Sequence, residues 1–244
     1  MKRSFADLHL RANIKDQQAT GSLIAKAAHL GYSQIAIPLN PKCNPDDINK
    51  LKSICKAVGL DFVSRVDVWP RSEAELTHFL RRFRRQFELI CVSCDNKEVT
   101  RQAAKDRRVD LLNFCSLDYR KRFFDRAEAE LACATSVSFE VDVKPLLTFE
   151  GPIRVRLMMN LRRELALARE FKVPVVFSSG AGEEHLLRAP MDMASLGYLV
   201  GLEEAASLDS VSTNPSAIVC RNREKMGDSF VAPGIRVVRQ EASR

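Results

Sequence analysis

Histidine is scarce in this chain: only His9, His29, His78 and His185 occur in 244 residues. A hydrolytic metal cluster needs several histidine or carboxylate ligands converging on one point, so its supply is thin. Aromatic residues make up 7%, with one Trp and three Tyr, leaving few platforms for stacking bases. No run of about 18 consecutive apolar residues occurs, which excludes an ordinary membrane-spanning helix. The opening MKRSFADLHLRANIKD has no apolar stretch of the kind that marks a secretory signal, so a soluble intracellular protein is expected. A GxGxxG turn is missing, and with it the mark of a dinucleotide-binding sheet. No GxSxG context activates a serine. Cys91-Val-Ser-Cys94 lacks a second CxxC to complete a zinc site, and seven scattered cysteines do not suggest a disulfide framework.

What is present is apolar material and positive charge. Hydrophobic residues form 45% of the chain and charged residues 28%, with a formal net charge of +7. Such a basic excess favours polyanionic partners such as nucleic acid, although a somewhat basic surface alone would also account for it. No Pro/Gly/Ser-rich linker divides the chain, so one domain over residues 1–240 is expected.

Short β-like runs alternate with longer helical ones. Strand candidates begin near Ser4 (SFADLHL), Gln34 (QIAIP), Leu60 (LDFVSRV), Phe87 (FELICVS), Val109 (VDLLNF), Val137 (VSFEVDV) and Pro174 (PVVFS). Between them, Ile48, Leu51, Ile54, Cys55 and Val58 keep the spacing of a buried helical face. Leu76, Phe79, Leu80 and Phe83 do so next, then Leu157, Leu161, Leu165 and Ala168. Asn44 and Pro45 suit the cap and first turn of one helix; Thr213 or Asn214, with Pro215, suits another reaching Met226. This alternation predicts an α/β fold, a TIM-like β/α barrel with seven clear strands. The eighth unit reads as incomplete or distorted, with SLDSV (207–211) able to supply a short strand.

In such barrels function gathers just after the strands. There the sequence places His9, Arg11, Asn40, Arg65, Asp67, Asp95, Asp118, Lys144 and the turn Ser178-Ser179-Gly180. Strand alternation puts Asp7, His9 and Arg11 on one side. The polymerase-and-histidinol-phosphatase barrels begin with a similar D-x-H-x-H metal element, but Arg11 stands where the second histidine would be. A cation there cannot ligate and repels a metal, so no metal site and no catalytic residue is assigned. Asp7 and His9 then read as a buried polar pair with Arg11 at its rim. The Ser178-Ser179-Gly180 turn could offer backbone N–H groups to an anion, or serve only as a tight turn. Glu140 and Asp142 share a face and could serve acid/base chemistry, but the pattern reads more simply as the polar side of a half-buried strand. Arginine runs at 81–85, 101–108, 120–122, 154–163 and 221–225 suggest phosphate and shape contacts with structured RNA. Arg65 and Arg120 enter as RNA- or partner-binding candidates from their places at the barrel edge.

FADLHLR, LGYSQIAIP, FEVDVKPLL, FSSGA and above all VSTNPSAIVCRNREK resemble the ribonuclease P protein component 3 family, the archaeal counterpart of the thirty-kilodalton eukaryotic subunit. The resemblance runs from about Phe5 to about Val238. It implies a barrel related to the polymerase-and-histidinol-phosphatase type with its ligand set lost. It also implies a ribonucleoprotein in which RNA, with magnesium, cleaves the 5′ leader from precursor tRNA. Its expected partners are ribonuclease P RNA, precursor tRNA, a small α/β subunit and the other ribonuclease P proteins. This chain itself is expected to bind no cofactor. The resemblance implies that Arg11, Arg221 and Arg223, which lie in matching motifs, contact RNA phosphate or a partner. A cytoplasmic, archaeal protein is expected, or a nuclear one if eukaryotic. Two other readings stay open: an autonomous metal-dependent phosphoesterase using Asp7 and His9, and a generic RNA-binding barrel.

Overall fold

The computed structural model describes residues 3–227, 230–232 and 235–236. Seven strands alternate with helices: β1 (Ala6–Asp7), α1 (Gln17–His29), β2 (Gln34–Pro38), α2 (Pro45–Ala57), β3 (Asp61–Val68), α3 (Glu73–Phe83), β4 (Leu89–Ser93), α4 (Lys97–Lys105), β5 (Leu111–Asn113), α5 (Arg126–Thr135), β6 (Ser138–Asp142), α6 (Lys144–Thr148), α7 (Gly151–Glu170) and β7 (Val175–Ser178). Three helices follow, α8 (Pro190–Leu199), α9 (Glu204–Ser210) and α10 (Thr213–Met226), then a hairpin of β8 (Phe230–Ala232) and β9 (Ile235–Arg236). The seven strands pair in parallel and in chain order, as successive crossovers require. This is the expected TIM-like β/α architecture.

Local chemistry sets the helix ends. Asn44 accepts from the N–H of Asp46 at 3.1 Å with Pro45 opening α2, as the sequence predicts. Ser72 and Asp125 cap α3 and α5 in the same way. At α10 the expected caps are used otherwise. The Thr213 hydroxyl bonds Asp209, and Asn214 donates its amide to the Val175 carbonyl at 2.8 Å. Helix periodicity translates into burial along α7, where Leu157, Leu161, Leu165 and Ala168 are all buried; along α2, Leu51 and Cys55 are buried, Ile48 and Ile54 half-buried and Val58 exposed.

The eighth unit contains no strand. Ser207–Ser210 of SLDSV belongs to α9, because Ser207 and Ser210 bury at helical rather than alternate spacing. The seam between β1 and β7 closes by other means. Ala6 donates to the Val211 carbonyl at 3.0 Å near the strand starts. Near the strand ends, Gly180 donates to His9 at 3.0 Å and Arg11 to Ala181 at 2.8 Å.

Two cores result. One lies between the strands and the surrounding helices. The other fills the barrel lumen with Ala6, Leu8, Ala36, Val63, Leu89, Cys91, Leu111 and Val176, sealed from below by Ile218 and Val219 of α10. Cys91 enters the lumen and Cys94 the outer core, as alternation demands for residues three apart. α10 therefore plugs the N-terminal end of the barrel, and the open end is at the strand C-termini.

Candidate functional site at the barrel mouth

Above the apolar floor the lumen becomes ionic. Arg65 projects inward from β3 and is completely buried. Its guanidinium grips both Glu140 oxygens from β6, at 2.5 and 2.7 Å, and donates to the Leu8 carbonyl at 2.6 Å and to Asp67 at 2.6 Å. Glu140 is saturated further by Ser178 at 2.7 Å and Asn113 at 3.0 Å. A buried carboxylate with both oxygens engaged, facing a guanidinium that makes four hydrogen bonds, meets the condition for retaining charge in a low-dielectric interior.

One layer higher, His9 sits between two carboxylates. Nδ1 lies 2.7 Å from Asp142 and Nε2 3.2 Å from Asp67. Burial and Arg65 oppose its protonation, but Asp142 and Asp67 outweigh them and lift its pKa to about 9. Burial raises the Asp67 carboxyl, yet Arg65 and His9 hold it well below the ordinary carboxylate range. Asp142 is likewise lowered against burial by His9, Arg65 and Arg11. With both ring nitrogens donating, the 3.1 Å approach of Arg11 Nε to Nε2 sets two donors face to face. Arg11 is held instead by its 3.3 Å contact with Asp142, its side chain half exposed at the rim.

Asp7 does not share this cluster. β1 ends at Asp7, so alternation fails beyond it, and the Asp7 carboxylate turns into the β1–β7 seam. There it accepts from the N–H groups of Ser179 at 2.9 Å and His9 at 3.1 Å. Burial pushes its carboxyl up, and its second oxygen is buried without a partner.

The sequence-derived candidates fare unequally. Arg65 reaches no surface and cannot touch phosphate; it is the internal counter-ion of Glu140 and Asp67. The Ser178-Ser179-Gly180 turn is not an anion site. Ser178 hydrogen-bonds Glu140, Ser179 and Gly180 spend their N–H groups on Asp7 and His9, and a Cβ at Gly180 (φ +62°) would stand 3.1 Å from Asp142. Carboxylates surround the turn and would repel an anion. Glu140 and Asp142 are not the wet side of a half-buried strand, because β6 is covered on both faces. Arg11 and Arg120 do lie exposed on the mouth side, Arg120 in the turn Tyr119–Lys121 after β5.

Arg221 and Arg223 lie at the opposite end. Arg223 spans Asp61 at 2.7 Å and Glu88 at 2.5 Å and also donates to the Phe62 carbonyl, tying α10 to the starts of β3 and β4. Arg221 bonds the Ser136 carbonyl at 2.9 Å and Asp110 at 3.2 Å. The sequence did carry a signal for this: an acid stands at or just before the start of three successive strands, at Asp61, Glu88 and Asp110. Several arginines of the charged runs also turn inward. Arg122 is buried against Glu164, half-buried Arg84 meets Asp110, and Arg101 binds Asp125 and Glu128.

His9, Glu140 and Asp142 each bring one potential ligand atom within 4.8 Å of the others. The trio does not fit a metal ion. Both Glu140 oxygens are occupied by Arg65, both His9 nitrogens face carboxylates, and a guanidinium stands where the metal's charge would be. Three cations (Arg65, His9, Arg11) already balance three carboxylates (Glu140, Asp67, Asp142), so a divalent ion would leave an uncompensated charge. The cleft beside the network, between β5, β6 and α7, holds about 260 Å³, below the roughly 300–1,000 Å³ usual for small-molecule sites.

Comparison with known proteins agrees with the resemblance read from the motifs. A chain in the cryo-EM structure of archaeal ribonuclease P with mature tRNA superimposes with a TM-score of 0.80 at 22% identity, covering 98% of this chain and 100% of that one. An amidohydrolase barrel superimposes with a TM-score of 0.57 at 9% identity over 91% of this chain and 75% of its own. At these identities the two structures speak for the fold alone. Ribonuclease P protein component 3 of Methanosarcina barkeri is 31% identical over 98% of both chains. That of Methanothermobacter thermautotrophicus is 24% identical over 96% of this chain and 95% of its own. The family model described as RNase P subunit p30 matches residues 4–227, and the chain belongs to that family.

Proposed function

We propose that this chain is a protein subunit of ribonuclease P, supporting RNA-catalysed removal of the 5′ leader from precursor tRNA while contributing no catalytic residue. The observation that carries this reading is family membership across almost the entire chain. The mouth supports it: where barrels place their reactive groups, this one carries a neutralised ionic network with every histidine nitrogen and both Glu140 oxygens engaged. Hydrolysis then belongs to the RNA with its magnesium ions, and the protein works as a scaffold alongside a small α/β subunit and the other ribonuclease P proteins. Arg11 and Arg120 lie exposed on the mouth side and are the groups that this reading turns towards RNA or a partner. Among the described residues no helix is long and apolar enough to cross a membrane, and the reading places the work in the cytoplasm of an archaeal cell.

Reconstitution tests the proposal. The purified chain alone should leave precursor tRNA uncut, whereas adding it to cognate RNA and the remaining proteins should raise leader removal. No effect of its omission from a complete mixture would refute the assignment. Sequencing RNA that co-purifies with the native chain separates this reading from a generic RNA-binding barrel, since only the former enriches ribonuclease P RNA.

A further inference from the structure

The plugged end of the barrel carries a charge surplus that the ion pairs of α10 do not use up. Crossover helices return the chain to the strand starts, so the ends of α3 and α4 meet there beside α10. Arg84, at the end of α3, lies 3.1 Å from Asp110 Oδ2, and Arg221 approaches Oδ1 of the same carboxylate at 3.2 Å. Asp110 is fully buried and also accepts from the Ile90 N–H. Arg221 keeps a buried Nε without a partner. Lys225 stands one turn beyond Arg221 on the same side of α10, and exposed Arg107 lies in the loop between α4 and β5. Among the described residues no carboxylate pairs with Lys225 or Arg107. Burial lowers the Lys225 ammonium below the ordinary lysine range, and Arg221, Arg84 and Arg107 push it the same way against Asp110.

The count is four cations against one carboxylate. The C-termini of α3, α4 and α10 add roughly half a negative charge each, which still leaves a surplus of about one and a half. Protein interfaces deplete lysine from their centres, whereas a phosphate backbone gains affinity by releasing counterions to such a surplus. We propose that Arg107, Arg221 and Lys225, with Arg84 beneath them, bind backbone phosphates of ribonuclease P RNA at the N-terminal end of the barrel. This rests on the functional reading above and locates an RNA contact on the face opposite the mouth.

The test uses Arg107→Ala with Lys225→Ala, neither of which holds an ion pair of the fold. Labelled ribonuclease P RNA is titrated with the full protein set across a KCl series, beside a control carrying Lys52→Ala and Lys56→Ala on exposed α2. The slope of log K against log [KCl] should shrink by about two units in the first variant and by clearly less in the control. An unchanged slope, or equal losses in both variants, would overturn the site and leave only diffuse charge or a protein contact. So would loss of the folded circular dichroism spectrum, because the two residues would then be structural. Failure of the wild-type set to bind the RNA at all would instead overturn the functional reading on which the site rests.

Discussion

Arg65 shows how one side chain can settle what a barrel mouth is able to do. Its charge sits buried between Glu140 and Asp67, so removing it leaves two carboxylates without their counter-ion. Arg65→Met should cost about 3–5 kcal/mol in urea unfolding, and adding Glu140→Met should recover much of that loss. A single variant as stable as wild type would contradict the network. His9 gives a pH signature. Its pKa rises from 6.5 to about 9 on folding, so its contribution is complete below pH 6.5 and is lost as pH climbs through 9. The stability advantage of wild type over His9→Gln should therefore shrink across that interval; a flat difference would remove the imidazolium from the account. The same network predicts that dialysed wild-type protein retains no zinc or manganese by elemental analysis. A stoichiometric ion lost on His9→Ala would restore the phosphoesterase reading.

Among the elements, α10 matters most, and its arginines invite overvaluation. Ile218 is buried in the lumen floor, whereas the Arg223 side chain is 39% exposed and its pairs are partly screened. Ile218→Ala should cost about 2–4 kcal/mol and Arg223→Ala about 1 kcal/mol or less, measured by chemical denaturation. The reverse order would mean that charge, not the apolar plug, holds the helix. The arginines of NPSAIVCRNREK are visible in sequence, whereas Asp61, Glu88 and Asp110, far away in the chain, are not visibly their partners. The caps tell the same story: Asn44 needs only a neighbour two residues on, whereas Asn214 is claimed by the Val175 carbonyl.

At the scale of the whole molecule, seven parallel strands leave an incomplete ring, and Val211 with α10 completes it. A chain ending after Val211 would open the lumen floor of Ala6, Leu8, Ala36 and Val63 to water. It should lose cooperative thermal unfolding, while the full chain unfolds in one transition; a cooperative truncated barrel would show that the plug is dispensable. The basic character of the surface is also a property of the whole. Internal pairs absorb Arg65, Arg101 and Arg122, so the positive charge left for a polyanion is distributed differently from the arginine runs in sequence.

The sequence by itself determined the seven strands, the buried stripes of α2, α3 and α7, and the family, because periodicity and local motifs are encoded between neighbours. It also pointed away from a metal through Arg11 and the scarcity of histidine. Only the tertiary structure decided which charges meet. Arg65 and Glu140 are 75 residues apart, and His9 and Asp142 are 133 apart. No local pattern specifies such pairings; they arise when parallel strands bring alternate residues of β3 and β6, and the chain just after β1, into one lumen. The scarcity of histidine thus has its structural counterpart: His9, the histidine of the mouth network, is enclosed by carboxylates, and a guanidinium supplies the central positive charge.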